Sequence, residues 1–126
     1  MTKIEKNIYS GLERIFHEPS RLAIISALCA SDGSLSFNQL KDECNLTFGN
    51  ISSHLRTLNE ARIIKMQKSF VDNKPHTKVS ITDKGRERFI EYLKTLENVL
   101  KKAAEAVQNS NENISFPLSG LKPAQS

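Results

Sequence analysis

Asn50, Ser53, His54 and Arg56 place four hydrogen-bonding side chains of short to medium reach within one short stretch, the chemistry that reads base edges in a nucleic-acid groove. Thr47 and Gly49 stand just before them, where a hydroxyl can cap a helix and a missing side chain lets free amides approach a phosphate. Farther along, Lys68, Lys74, His76 and Lys78 supply cations of the kind that neutralise phosphates and release counterions. Together they form one candidate surface for double-stranded DNA, the first set for sequence and the others for position and affinity.

The charge distribution supports an anionic partner. Residues 50–88 hold nine Lys and Arg against four acids, whereas residues 1–49 hold five against six and residues 89–126 four against four. A solvated surface scatters its charges more evenly, so the confinement of the excess to one stretch is informative. With 126 residues, a quarter of them charged and few aromatic, the chain has the composition of a folded helical domain that needs no disulfide or structural metal. Its apolar runs are short and broken by charges, and Met1-Thr2-Lys3-Ile4-Glu5-Lys6 mixes charges where a signal peptide would turn apolar. A cytoplasmic protein with no membrane partner is expected.

Catalysis finds no support in the residue pattern, and no enzyme is expected. The glycines at 11, 33, 49, 85 and 120 are too scattered for a phosphate-cradling loop. His17, His54 and His76 fall on three different elements, without the spacing of a zinc site. Cys29 and Cys44 form no Cys-x-x-Cys pair and read as packing thiols. No catalytic set, metal or cofactor is therefore expected.

The elements that position the candidate surface follow from periodicity. Ile4, Ile8, Leu12, Ile15 and Phe16 recur at helical spacing and predict an amphipathic helix ending before Pro19, which suits the first turn of the next helix. That second helix carries Leu22, Ile25, Leu28 and Cys29 on its apolar face and stops at Ser31-Asp32-Gly33. Leu35 predicts a minimal strand, and Ser36 with Gln39 has the spacing of a capping box for a third helix reaching about Cys44. Asn45 is placed to close that helix in a left-handed conformation, and Thr47 to cap the following one, whose buried stripe is Ile51, Leu55 and Leu58. Two short helices joined by a tight turn make a helix-turn-helix. Alternation from Ile63 to Phe70, and again at Val79 and Ile81, predicts a hairpin around Asp72-Asn73-Lys74-Pro75. Thr82 and Asp83 open a long helix in which Phe89, Leu93, Leu96, Leu100, Ala103 and Val107 alternate at steps of four and three, the spacing of a coiled-coil seam.

The ordered set from Pro19 to Leu100 resembles the winged-helix transcriptional regulators related to the MarR and ArsR groups of archaea and bacteria. The resemblance is carried by Pro19, Arg21, Leu22, Ile25 and Leu28; by Phe37, Leu40 and Lys41; and by Leu46, Thr47, Gly49, Asn50, Ser53, His54, Leu55 and Leu58. Lys74-Pro75-His76-Thr77 and Ile81-Thr82-Asp83-Lys84-Gly85-Arg86 complete it. Two positions depart from the pattern: His76 stands where the wing often carries Arg, and Arg62 where the turn after the reading helix commonly holds Gly. The expected fold is mainly α with a small β-hairpin (α+β), a winged helix-turn-helix spanning residues 1–107 with a flexible tail over 108–126. The resemblance implies a homodimer built from the first and last helices through Ile4, Ile8, Leu12, Phe89, Leu93, Leu96, Leu100 and Val107. It also leaves room for an unidentified small-molecule effector. The expected function is transcriptional regulation, by repression, through a reading helix at about 47–61 and a basic wing at about 64–81. The alternative is a winged-helix module that holds another protein instead of specific DNA.

Overall fold

The computed structural model describes residues 9–110. Its elements are α1 (Pro19–Ala30), β1 (Ser34–Ser36), α2 (Phe37–Glu43), α3 (Phe48–Glu60), β2 (Ile64–Val71), β3 (Lys74–Ile81) and α4 (Asp83–Ser110). The class is the expected mainly helical α+β. By contacts the chain forms two compact units, Glu13–Ile90 and a second that joins Met1–Leu12 to Glu91–Ser126. No helix among the described residues is long and apolar enough to cross a membrane.

Local chemistry sets the ends of the helices in the Glu13–Ile90 unit. Glu18 is extended, with φ −149° and ψ 128°, and its carboxylate accepts the Arg21 amide at 2.8 Å, so α1 starts with Pro19 in its first turn at no cost in donors. The helix closes where Gly33 (φ 88°) donates its amide to the Leu28 carbonyl at 2.7 Å. At α2 both halves of the capping box form: Ser36 Oγ accepts the Gln39 amide at 3.0 Å and Gln39 Oε1 accepts the Ser36 amide at 2.9 Å. Asn45 takes φ 55°, as its position between α2 and α3 requires.

The sheet is antiparallel in the order β1-β3-β2. The short strand at Leu35 is thus a third strand, with Leu35 opposite Val79 and Val79 opposite Met66. The hairpin turn is tighter than the sequence reading: Asp72 (φ 54°) and Asn73 (φ 66°) make a two-residue turn of the type that matches strand twist, while Lys74 and Pro75 already belong to β3. The core beneath the sheet is dry and apolar, including Ile25, Leu28, Leu40, Ile51, Leu55 and Leu58, all fully buried. On α1 the buried stripe is Ile24, Ile25 and Leu28, with Leu22 only half-buried.

Two expectations about the ends of the chain are corrected. From Tyr9 to Glu18 the chain forms turns, not a helix running through Phe16. Gly11 weakens a helix here, and the amides of Leu12 and Phe16 bond to carbonyls three residues back, Tyr9 and Glu13, at 3.0 Å each. Ile4 and Ile8 lie outside the described residues. Phe89 does not belong to an exposed seam: it is 4% exposed and its ring packs on the fully buried Phe16 ring with centroids 5.4 Å apart. Arg88 crosses the same Phe16 ring and bonds the Glu13 carboxylate.

Within the other unit, α4 leaves Leu93, Leu100 and Val107 exposed, with Leu12 and Leu96 half-buried. Ala104 is buried, whereas Ala103 is exposed. The helix continues through Ser110, past the expected tail boundary at 108; the rest of that tail, residues 111–126, lies outside the described residues.

Two glycines of this fold should respond oppositely to the same change. A Cβ at Gly85 would overlap the Ile63 backbone carbonyl, while one at Gly49 would meet nothing within 4 Å. Gly85→Ala is expected to lower stability in urea unfolding by about 3 kcal/mol. Gly49→Ala is expected to raise it by about 0.5 kcal/mol through the helix preference of Ala.

Candidate nucleic-acid interface

The start of α3 is built to be presented. Thr47 caps it, its hydroxyl accepting the Asn50 amide at 3.1 Å, and its carbonyl accepts the Ile51 amide at 3.0 Å. Burial of Ile51, Leu55 and Leu58 fixes which side of the helix faces the core. By the helical period Gly49, Ser53 and Arg56 fall on the opposite side with Asn50 beside them, and all four are exposed, as is Thr47. Asn50, Ser53 and Arg56 therefore form one accessible polar face.

His54 does not share that face. The Arg21 guanidinium donates to the Ile15 carbonyl at 2.8 Å through Nε and lies 3.3 Å from His54 Nδ1 through a terminal nitrogen. A guanidinium has no acceptor, so in a hydrogen bond with it Nδ1 can only accept. Glu18 Oε1 stands 3.9 Å from the same Nδ1. The ring thus ties the reading helix to the start of α1. It is half-buried, unlike the exposed Asn50, Ser53 and Arg56.

The wing splits its polar residues between two faces. Directly paired residues share a face, and the register pairs Lys68 with Thr77, Phe70 with Pro75, Ser69 with His76, and Gln67 with Lys78. Lys68 thus lies on the face of Met66 and Val79, while His76 and Lys78 take the other, together with Lys74 opposite Val71. Lys68, Lys74 and Lys78 are exposed and His76 is half-buried.

Between α2, α3 and the wing runs an open groove of about 470 Å³, lined on the helix side by residues that include Phe37, Phe48, Ser52, Arg56 and Asn59 and on the wing side by Met66, Lys68, Pro75, His76 and Thr77. No carboxylate lines it. Two of the most exposed large apolar residues border the reading surface: Phe48 at 68% and Phe70 at 74%. Sequence reasoning passed over both. Phe48 does carry a signal, an aromatic placed directly after a capping Thr, in line with Ile51, Leu55 and Leu58 but at the exposed first residue of the helix.

The comparisons with known proteins agree with this geometry. The winged helix DNA-binding domain family matches residues 20–100, which includes α3 and the entire wing. The chain belongs to that family. An uncharacterized protein of Methanocaldococcus jannaschii is 35% identical over 80 residues, 64% of this chain and 86% of that protein. The solved structure of a transcriptional regulator homologue from Pyrococcus horikoshii OT3 is 31% identical, covers 76% of this chain and 95% of its own, and superposes with a TM-score of 0.69. A MarR family transcriptional regulator from Silicibacter pomeroyi shares the fold, with a TM-score of 0.52 and 18% identity over 83% of this chain and 80% of its own. The likeness to the MarR family protein is one of fold.

Within the winged helix, the departure at Arg62 is accommodated without glycine: Arg62 adopts φ 64° and its amide bonds to the Asn59 carbonyl at 3.0 Å. Neither thiol is activated. Partial burial pushes Cys29 up against the opposing pull of Arg86, and burial with nearby Glu43 pushes Cys44 up. A thiol with a raised pKa holds less thiolate at a given pH. Alkylation by iodoacetamide at pH 8 is therefore expected to run slower for both than for free cysteine, and to reach half its limiting rate above the ordinary thiol pKa. His54→Ala is expected to cost about 1 kcal/mol in urea unfolding, with the order of preference among duplexes unchanged.

Proposed function

We propose that this winged-helix regulator binds double-stranded DNA as a homodimer and represses transcription by occupying its site. Asn50, Ser53 and Arg56 read base edges, the amides at the start of α3 beside Thr47 and Gly49 meet a phosphate, and Lys68, Lys74, His76 and Lys78 contact the backbone from the wing. One observation carries this reading. Residues 50–88 hold nine Lys and Arg against four acids, and of these Arg56, Lys68, Lys74 and Lys78 are exposed and form no ion pair with any described residue. Unpaired cations gathered on one helix and its wing have the arrangement a polyanion needs.

The dimer reading rests on α4. Leu93, Leu100 and Val107 are 42%, 40% and 38% exposed, and they recur every seven residues, the repeat of a helix seam that a second helix covers. Leu96 contributes from the half-buried side and Leu12 from the preceding chain. Two reading helices related by a two-fold axis would meet half-sites about 34 Å apart. Such a protein acts in the cytoplasm as a binding protein and not as an enzyme.

Fluorescence anisotropy with labelled mixed-sequence duplex at 50 and 200 mM salt tests the DNA reading, with several phosphate contacts expected to cost on the order of a hundredfold or more in affinity across that range. Binding that ignores salt would sink it. Arg56→Ala is expected to relax sequence preference, whereas Lys74→Ala weakens all duplexes alike and lowers the salt slope by about one. Sedimentation is expected to show a dimer that becomes monomeric when Leu93 and Leu100 are both changed to Lys; a monomeric unmodified chain would overturn the dimer.

A further inference from the structure

We propose that Phe48 reads thymine, its exposed ring packing against the C5 methyl group on the floor of the major groove. The inference rests on the DNA-binding reading and names one base that the site selects. Phe48 is the first residue of α3 and stays 68% exposed even though the buried stripe begins three residues later. Its ring is braced by Phe37, with centroids 5.3 Å apart and planes tilted by 52°, and the capped backbone of Thr47 holds its Cα. The side chain is therefore held outward at the end of the helix that a winged helix inserts, beside the exposed Gly49 and Asn50.

The surroundings indicate what covers this ring. The groove it borders contains Arg56 and Lys68 and no carboxylate, so the fitting occupant is a polyanion. On the floor of the major groove only thymine offers a methyl group; apart from the small C5 hydrogen of cytosine, the other features there are hydrogen-bond donors or acceptors. Phe48 lines the same groove as Arg56 and Asn59, and the methyl is the largest apolar complement its ring meets there. Phe70 is even more exposed at the wing tip, but the wing reaches the backbone or minor groove, where thymine shows no methyl. Replacing thymidine with deoxyuridine removes the methyl alone and so separates the two phenylalanines.

The experiment begins with a duplex selected by the full chain from a randomised pool, then measures its affinity with thymidine and with deoxyuridine at every thymine position. Unmodified protein is expected to lose about fourfold for each methyl contacted, the transfer value of one carbon group. Restoring thymidine one position at a time should return the loss at the position facing the start of α3. Phe48→Ala is expected to bind the thymidine and deoxyuridine duplexes equally, with an unchanged salt slope, and Phe48→Leu to keep part of the preference. Equal binding of both duplexes by unmodified protein overturns the proposal, and because that arm needs no variant, a folding defect cannot mimic it. A preference that survives in Phe48→Ala, or a selected site without thymine, also overturns it. All three results leave DNA binding itself intact, whereas failure to select or bind any duplex removes both readings.

Discussion

The carbonyl oxygen of Ile63 is the point on which the reading surface depends. It accepts the Thr82 amide at 2.9 Å, shares the Thr82 hydroxyl with the Arg62 carbonyl at 3.1 and 2.8 Å respectively, and lies where a side chain at residue 85 would have to stand. Ile63 sits one residue past the left-handed Arg62 that ends α3, and one before β2; Thr82 sits between β3 and α4. The same hydroxyl oxygen accepts the Gly85 amide at 2.9 Å and so caps α4. The end of α3, the base of the wing and the first turn of α4 are thereby joined at two adjacent carbonyls, those of Arg62 and Ile63. A glycine at 85 is needed because two backbones approach there, not because the chain must bend.

Around that junction, rigidity and charge are separated. The dry stripe of Ile51, Leu55 and Leu58 seats α3, and the Arg21–His54 contact holds its flank against α1. These contacts involve no cation of the presented face. Arg56, Lys68, Lys74 and Lys78 consequently remain exposed to solvent. Exposed pairs such as Lys94–Glu91 and Lys101–Glu97 lie on α4, where they add little to stability and nothing to the reading face.

Much of this was legible from residue order. The caps at Ser36 and Thr47, the left-handed Asn45 and the core stripe of α3 depend on neighbours within four residues, so the sequence specifies them locally. Capping and helical period act over that range. The placement of His54 and Phe89 was not legible, because each is decided by a distant partner: Arg21 for one, Phe16 for the other. A histidine on a reading helix and a phenylalanine in a heptad look the same in sequence whether they face a ligand, a second copy or their own core. The N-terminal segment failed for a related reason, since apolar periodicity alone does not register what Gly11 removes and what Phe16 must reach.

The chain by itself determined the helix-turn-helix, the hairpin and the confinement of positive charge to residues 50–88, because periodicity, caps and composition are properties of adjacent residues. Tertiary structure alone decided which of those polar residues share a surface. Cross-strand register put Lys68 on one face of the wing and Lys74, His76 and Lys78 on the other, a division that a one-residue slip would reverse. Packing of α3 on the core directed Arg56 outward and His54 inward, and it left Phe48 standing at the edge of a cationic groove. Register and packing are set by contacts between segments far apart in the chain, and no local pattern encodes them.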